Sequence, residues 1–378
     1  MNSTLCSKDN THIPKLHGIT YLEHAIDIES IKPCVCIIGV GFVGETLLRE
    51  FGRVFPSIGY DISQKRITEL EKSFQHLPNV TLSTQKEKLN QATHFLISVP
   101  TPLRSDRSIN LTHLLSAIRT ALNIARPGSA IILESSVCVG TTRQVFNAYK
   151  DLYHCGMSPE RVDPGRQEPI VKEIPKIVSG LTPKSLRVIQ SLYSQVFDHT
   201  LPVSSPETAE MTKLFENCQR MVNIAYANEV ADAARNHSID PDEMMRAASS
   251  KPYGYMPYTP GLGVGGTCIP INPLYLFANN KNLPVLEKAT AQMRRRPGTK
   301  ARIFHNRVSS ILENRHARIL VVGIAYKPGQ SLLSCSPGLV FAKRLKKMGC
   351  GRLVFYDPLV QEVMGWMEKL PHDGWCRS

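Results

Sequence analysis

Short, continuously apolar runs alternate with amphipathic stretches from Cys34 onward. The runs VCIIG (35–39), HFLISVP (94–100) and SAIILES (129–135) read as parallel strands buried on both faces. SIGYD (57–61) is a further strand. ETLLREFGRVF (45–55) and LTHLLSAIRTALNIA (111–125) read as helices between them. Strands alternating with helices predict a parallel, doubly wound α/β sheet. Residues 206–239 form one long helical stretch without internal Gly or Pro, with Pro206 and Glu207 suited to its first turn. The Gly/Pro-rich stretch 252–273 predicts a loop of a length that is usually functional. A basic turn near 294–298 leads to another helix. ARILVVG (317–323) then restarts the strand–turn–helix pattern, with RLVFYDP (352–358) as its second strand. The pattern divides the chain into a polar leading tail (1–30), an α/β domain (31–203), a central helical domain with the glycine-rich loop (204–300) and a short second α/β domain (301–378).

Composition sharpens this picture. A chain of 378 residues with 42% hydrophobic and 20% charged residues is globular, and long enough to build several cores without disulfides or metals. No run of 18 apolar residues occurs, so no transmembrane helix is expected. The N-terminus lacks the pattern of a secretory signal. Lys and Arg number 45 against 32 Asp and Glu, a formal charge of +13 that suits an anionic partner. The densest basic cluster, Arg294-Arg295-Arg296, has no interleaved aromatics and no zinc-finger or RNA-binding signature, which argues against nucleic acid. The ten cysteines show no CxxC pair and no zinc spacing, so no metal is expected and a reducing, cytoplasmic setting is.

GVGFVG (39–44) follows an apolar strand and opens a helix, with Asp61 ending the next strand. That is the context of the dinucleotide fingerprint. Gly39 makes the tight turn, Gly41 lets the backbone approach a pyrophosphate and Gly44 lets helix and strand pack closely. Asp61 would accept from ribose hydroxyls and repel a 2′-phosphate, favouring NAD over NADP. The plain alternative is a glycine turn in a nucleotide-free α/β domain. In PGLGVGGTCIPINP (260–273) four glycines crowd Cys268, a candidate nucleophile or an inert intracellular thiol. Lys213 and Asn217 share a helix face and could hold an oxyanion or a water, or form a solvated surface pair. Glu160 in SPERVDPG (158–165) is a candidate acid/base carboxylate or an ordinary turn charge.

Taken in order, GVGFVG, VPTP (99–102), ESSVCVGTTR (134–143), SPERVDPG, AEMTKLFEN with VNIAYANE, GVGGTCIPINP and VGIAYKP resemble the UDP-glucose/GDP-mannose dehydrogenase family from about Ile31 to Pro358. RMVNIAYANE, KPYGYMPYTPGLGVGG and CIPINPLYL are similar to the branch that oxidises UDP-N-acetylhexosamines. The resemblance implies an N-terminal Rossmann NAD-binding domain, a central long-helix domain and a truncated C-terminal Rossmann-like nucleotide-sugar domain. It implies a homodimer through the central helix and two NAD-dependent oxidations of a UDP-sugar C6 alcohol to a carboxylate. Cys268 matches the nucleophile that carries the thioester, Lys213 the lysine that assists alcohol deprotonation, and Asn217 the amide that orients water. Glu160 matches the carboxylate implicated in thioester hydrolysis. Gly39, Gly41, Phe42, Val43, Gly44, Asp61, Val99, Thr101 and Ser136 fall on NAD-binding positions.

Three departures stand out. Asn272 replaces the Asp four residues after the nucleophile, and an amide cannot act as a base. Ser334 stands where the family carries an arginine that reaches across the dimer. Residues 359–378 do not match the expected continuation. A catalytically impaired or truncated homologue that keeps nucleotide binding and dimerisation is therefore the alternative. A β-hydroxyacid dehydrogenase shares the overall plan but needs no thioester cysteine.

Overall fold

The computed structural model describes residues 24–163, 168–311, 317–361, 363 and 365–371. Pro164 and Gly165 of the SPERVDPG motif, most of the leading tail and the last seven residues lie outside these. The chain forms two compact units. One runs up to Phe215 and includes Leu274–Asn280; the other comprises Glu216–Pro273 and the chain from Lys281 onward.

The first unit is built on six parallel strands: β1 (Val35–Ile38), β2 (Ser57–Tyr60), β3 (Val80–Ser83), β4 (His94–Ile97), β5 (Ala130–Leu133) and β6 (His154–Met157), ordered β3-β2-β1-β4-β5-β6. Val35 pairs with Ser57 on one side and His94 on the other, so the strand order reverses at β1. Ligands of doubly wound sheets bind in the crevice outside the strand ends at such a switch point. Successive residues of one strand enter different cores, which is why these strands read as unbroken apolar runs. Cys36 and Ile38 pack with Leu114 and Ile118 of α3 (Thr112–Ile124). Val35 and Ile37 pack with Leu47 and Leu48 of α1 (Phe42–Gly52) and Ile189 of α5 (Pro183–Tyr193). The remaining helices of this sheet are α2 (Gln64–Phe74), capped by Ser63, and the short α4 (Thr141–Phe146). A two-stranded parallel sheet, β7 (Lys176–Val178) with β8 (Thr200–Pro202), completes the unit.

The long helical stretch is a single helix, α6 (Pro206–Asn236), followed by α7 (Pro241–Ser249). After the glycine-rich loop come α8 (Asn272–Asn279) and α9 (Pro284–Ile311). The expected basic turn near 294–298 is instead helix interior. A proline there costs a backbone hydrogen bond, but Pro297 is buried, and a Cβ on Gly263 would stand 3.1 Å from its ring. Arg296 is also not part of a free basic cluster. It lies 2.5 Å from Asp232 of α6, which Lys300 contacts at 2.7 Å.

The second unit ends in β9 (Arg318–Val322), α10 (Pro337–Lys347), β10 (Arg352–Tyr356) and β11 (Glu368–Lys369), a three-stranded parallel sheet ordered β11-β10-β9. Its first turn repeats that of the larger sheet. Gly323 has φ +77° and donates to Tyr356 O at 2.8 Å, as Gly39 with φ +90° donates to Tyr60 O at 2.8 Å. No described helix is long and apolar enough to cross a membrane.

Candidate active site

In the first unit, three glycines have distinct physical reasons. A Cβ on Gly44 would lie 1.9 Å from Gly39 O, and one on Gly39 would lie 2.6 Å from Ser98 O. Nothing stands within 4 Å of a Cβ on Gly41, so open space meets the backbone there. Gly41 has no side chain to cap α1, which leaves the first N–H groups of the helix for an anion. Gly39, Gly41, Asp61 and Val99 line one cavity of about 310 Å³, together with Tyr60, Lys86 and His113, which the sequence did not single out. Phe42 is half exposed at the helix start and Val43 packs partly against the core. Thr101 donates to Ser136 O at 3.0 Å, and Tyr275 Oη donates to Thr101 Oγ1 at 2.7 Å. This turn, open cavity and carboxylate fit a dinucleotide.

Asp61 accepts from Val40 N at 3.1 Å and Ser63 N at 2.9 Å. The neighbouring Arg66 is committed to Val40 O at 2.8 Å and Glu45 at 2.6 Å. A 2′-phosphate would therefore meet the Asp61 charge without a guanidinium to offset it. Calorimetric titration is expected to show NAD much the tighter ligand, and equal affinity for NADP would discard the fingerprint reading.

Below the strand ends lies a buried charged cluster. Lys176 at the start of β7 lies 2.7 Å from Glu134 and 3.2 Å from Glu160. Tyr193 donates to the other oxygen of Glu134. Glu160 Oε1 also accepts from the N–H groups of Arg161 at 2.6 Å and Val162 at 2.7 Å. Burial opposes ionisation of Glu160, but Lys176, Lys213 and these donors outweigh it and hold the carboxyl below its ordinary range. Burial pushes Glu134 up to about 7 despite Lys176. Lys176 thus lies between a carboxylate held firmly charged, Glu160, and a second, Glu134, that burial inclines toward its protonated form. The alternative reading of a solvated helix face does not hold for α6, since Glu210, Lys213 and Asn217 are all buried. Glu210 accepts from Gly140 N at 2.6 Å and from Thr142 N at 2.8 Å, and burial pushes it up to about 7.

In the second unit Cys268 is exposed. Its loop is fixed at several points. Gly261 N donates to Asn228 at 2.8 Å, Gly261 O accepts from Arg296 at 2.7 Å, and Gly266 N donates to Ser334 O at 2.8 Å. Gly265 is required, since its Cβ would lie 2.6 Å from Tyr326. Asn272 opens α8 and accepts from Asn217 Nδ2 at 2.8 Å. Cys268, Asn217 and Asn272 thus come together here, while Lys213 and Glu160 come together in the first unit. The sequence reading missed Glu134, Lys176, Tyr193, Tyr275 and Arg220. Only Glu134 gave a signal, as a carboxylate at the carboxyl end of a central strand.

Comparison with known proteins agrees with this architecture. The NAD binding domain of the UDP-glucose/GDP-mannose dehydrogenase family matches residues 34–197, and the central domain of that family matches residues 207–295. A UDP-N-acetyl-D-glucosamine 6-dehydrogenase of Pseudomonas aeruginosa is 33% identical over 78% of this chain and 75% of its own. A UDP-N-acetyl-D-mannosamine dehydrogenase of Pyrococcus horikoshii is 29% identical over 89% of this chain and 86% of its own. The solved structure of a UDP-D-ManNAc dehydrogenase from Pyrococcus horikoshii superposes with TM-score 0.81 at 28% identity, over 87% of this chain and 85% of that one. The chain belongs to the UDP-glucose/GDP-mannose dehydrogenase family, and it is an NAD-dependent oxidoreductase.

Proposed function

We propose that this protein oxidises the C6 alcohol of a UDP-sugar, a UDP-N-acetylhexosamine or UDP-glucose, to the uronic acid through a thioester on Cys268. The observation that carries the reading is an exposed thiol on an anchored glycine loop, beside two buried amides, in a member of this family. Gly39, Gly41, Phe42, Val43, Gly44, Asp61, Val99, Thr101 and Ser136 would hold NAD, which would supply the hydride acceptor for both oxidations. Lys213 assists loss of the alcohol proton and steadies the oxyanion. The Cys268 sulfur adds to the intermediate aldehyde, and the resulting thiohemiacetal is oxidised to the thioester. Water held by Asn217 then releases the acid, with Glu160 in the role of the carboxylate that assists thioester hydrolysis and Asn272 orienting Asn217.

In this reading residues 31–203 are the NAD-binding domain, 204–300 the central domain and 301–378 the nucleotide-sugar domain, with 1–30 a leading tail. The turn shared by β1 and β9 supports assigning a nucleotide to each sheet. A homodimer through the central helix accounts for the exposed Tyr226, Val285 and Ile303 around a cavity of about 620 Å³ between α6 and α9. The eight described cysteines are all free, in keeping with a cytoplasmic enzyme.

The test is NADH formation against a panel of UDP-sugars, with the acid product quantified. Two NADH per uronic acid are expected. Intact NAD binding without turnover on any sugar would favour the impaired homologue.

A further inference from the structure

A relay of hydrogen bonds with one fixed direction ends on the Cys268 carbonyl. Arg220 Nη2 donates to Asn217 Oδ1. Asn217 Nδ2 donates to Asn272 Oδ1 at 2.8 Å, and Asn272 Nδ2 donates to Cys268 O at 3.0 Å. A guanidinium can only donate and a carbonyl can only accept. Both ends of the relay are therefore fixed, and neither amide can flip without facing donor to donor or acceptor to acceptor. Asn217 and Asn272 are 0% and 3% exposed, so a partner lost from the relay leaves a buried polar group unpaired, at a cost. The Cys268 carbonyl also accepts from Ile271 N at 3.2 Å and Asn272 N at 2.9 Å. Three donors converge on the peptide group of the nucleophile.

From this we infer that Asn272 and Arg220 are positioning residues, tuned to an amide at 272, that fix the backbone of Cys268. The inference rests on Cys268 being the nucleophile. Aspartate at 272 would keep the bond from Asn217 but turn an oxygen toward Cys268 O, where two acceptors meet. It would also place a negative charge near the thiol and disfavour the thiolate. Family comparison alone expects Asn272→Asp to restore a base and raise turnover; the relay expects the opposite.

The experiment measures kcat and KM by NADH formation for wild type, Asn272→Asp, Arg220→Met and the double variant. In parallel, iodoacetamide labelling of Cys268 is timed by mass spectrometry, and thermal melts confirm folding. Asn272→Asp should lower kcat about tenfold, the scale of one lost buried hydrogen bond, with little change in KM. It should also slow Cys268 alkylation several-fold. Arg220→Met should lower kcat without Asn272 being touched, and the double variant should be little worse than the weaker single one, because both break one relay. An Asn272→Asp enzyme as fast as wild type or faster overturns the relay, as do losses that multiply. If wild type binds NAD but never turns over, the dehydrogenase reading fails by itself. The relay is then judged on alkylation, and rates equal to wild type in both single variants overturn it.

Discussion

Cys268→Ser is expected to bring dehydrogenase turnover to background, a loss on the order of 10³-fold or more, while NAD affinity stays at the wild-type value. The hydroxyl is a weak nucleophile at neutral pH unless a base takes its proton. The one side-chain partner recorded for the Cys268 sulfur is Thr267 Oγ1 at 3.8 Å, and neither a histidine nor a carboxylate hydrogen-bonds it among the described residues. Sulfur needs less help, since its thiolate forms far more readily. The substitution removes no more than sulfur's size and softness from an exposed position, so the fold should tolerate it. The NAD fingerprint at 39–61 lies in the other compact unit and should be untouched. Calorimetry with NAD alongside NADH formation separates the two effects. Near-wild-type turnover by the serine variant would remove the thioester from the mechanism.

Much of the NAD-binding unit was legible in the sequence because its signals are local. Parallel strands buried on both faces are apolar at almost every position, as VCII and AIIL are, and GVGFVG must be glycine where a Cβ would strike backbone. Those constraints act within a few residues and leave a readable trace. The Pro297 region failed for the opposite reason. Pro and Gly beside three arginines read as a turn, but packing of Gly263 on Pro297 and pairing of Arg296 with Asp232 override that local preference. The direction of the Asn272 amide was equally invisible. Sequence showed only that an amide stands where the family has a carboxylate, and its hydrogen bonds depend on Arg220 more than fifty residues earlier. The charged cluster was hidden as well, since Glu134, Glu160, Lys176 and Tyr193 come from separate segments and each looks unremarkable in its own.

That cluster gives the largest expected effect on stability. Lys176→Met should destabilise the protein by about 3–5 kcal/mol at pH 8, the usual result of removing one partner from a buried ion pair. The side chain of Lys176 is 3% exposed and that of Glu134 0% exposed, so water cannot take over the lost charge. The pH dependence follows from the carboxyl groups. In the wild type, Glu160 is held below its ordinary range, so its contribution is present above about pH 4.5 and is lost on acidification. Glu134 behaves oppositely. Burial pushes it up to about 7, so the folded state binds its proton more tightly than the unfolded chain, and stability falls as pH rises from about 4.5 to 7. Without Lys176 the preference of Glu134 for its proton grows, while Glu160 keeps Lys213 and the N–H donors of Arg161 and Val162 and loses only part of its preference for the anion. The variant should then lose least at pH 5, where Glu134 is neutral, and most at pH 8, where folding must bury the Glu134 charge without its ammonium partner or hold its proton against the solvent. Thermal melts of both proteins at pH 5 and pH 8 decide the matter. A loss of Tm that is the same at both pH values would mean that Lys176 contributes through packing on Tyr193 and Phe197, whose ring centroids lie 5.9 and 5.7 Å from its ammonium, and not through its charge.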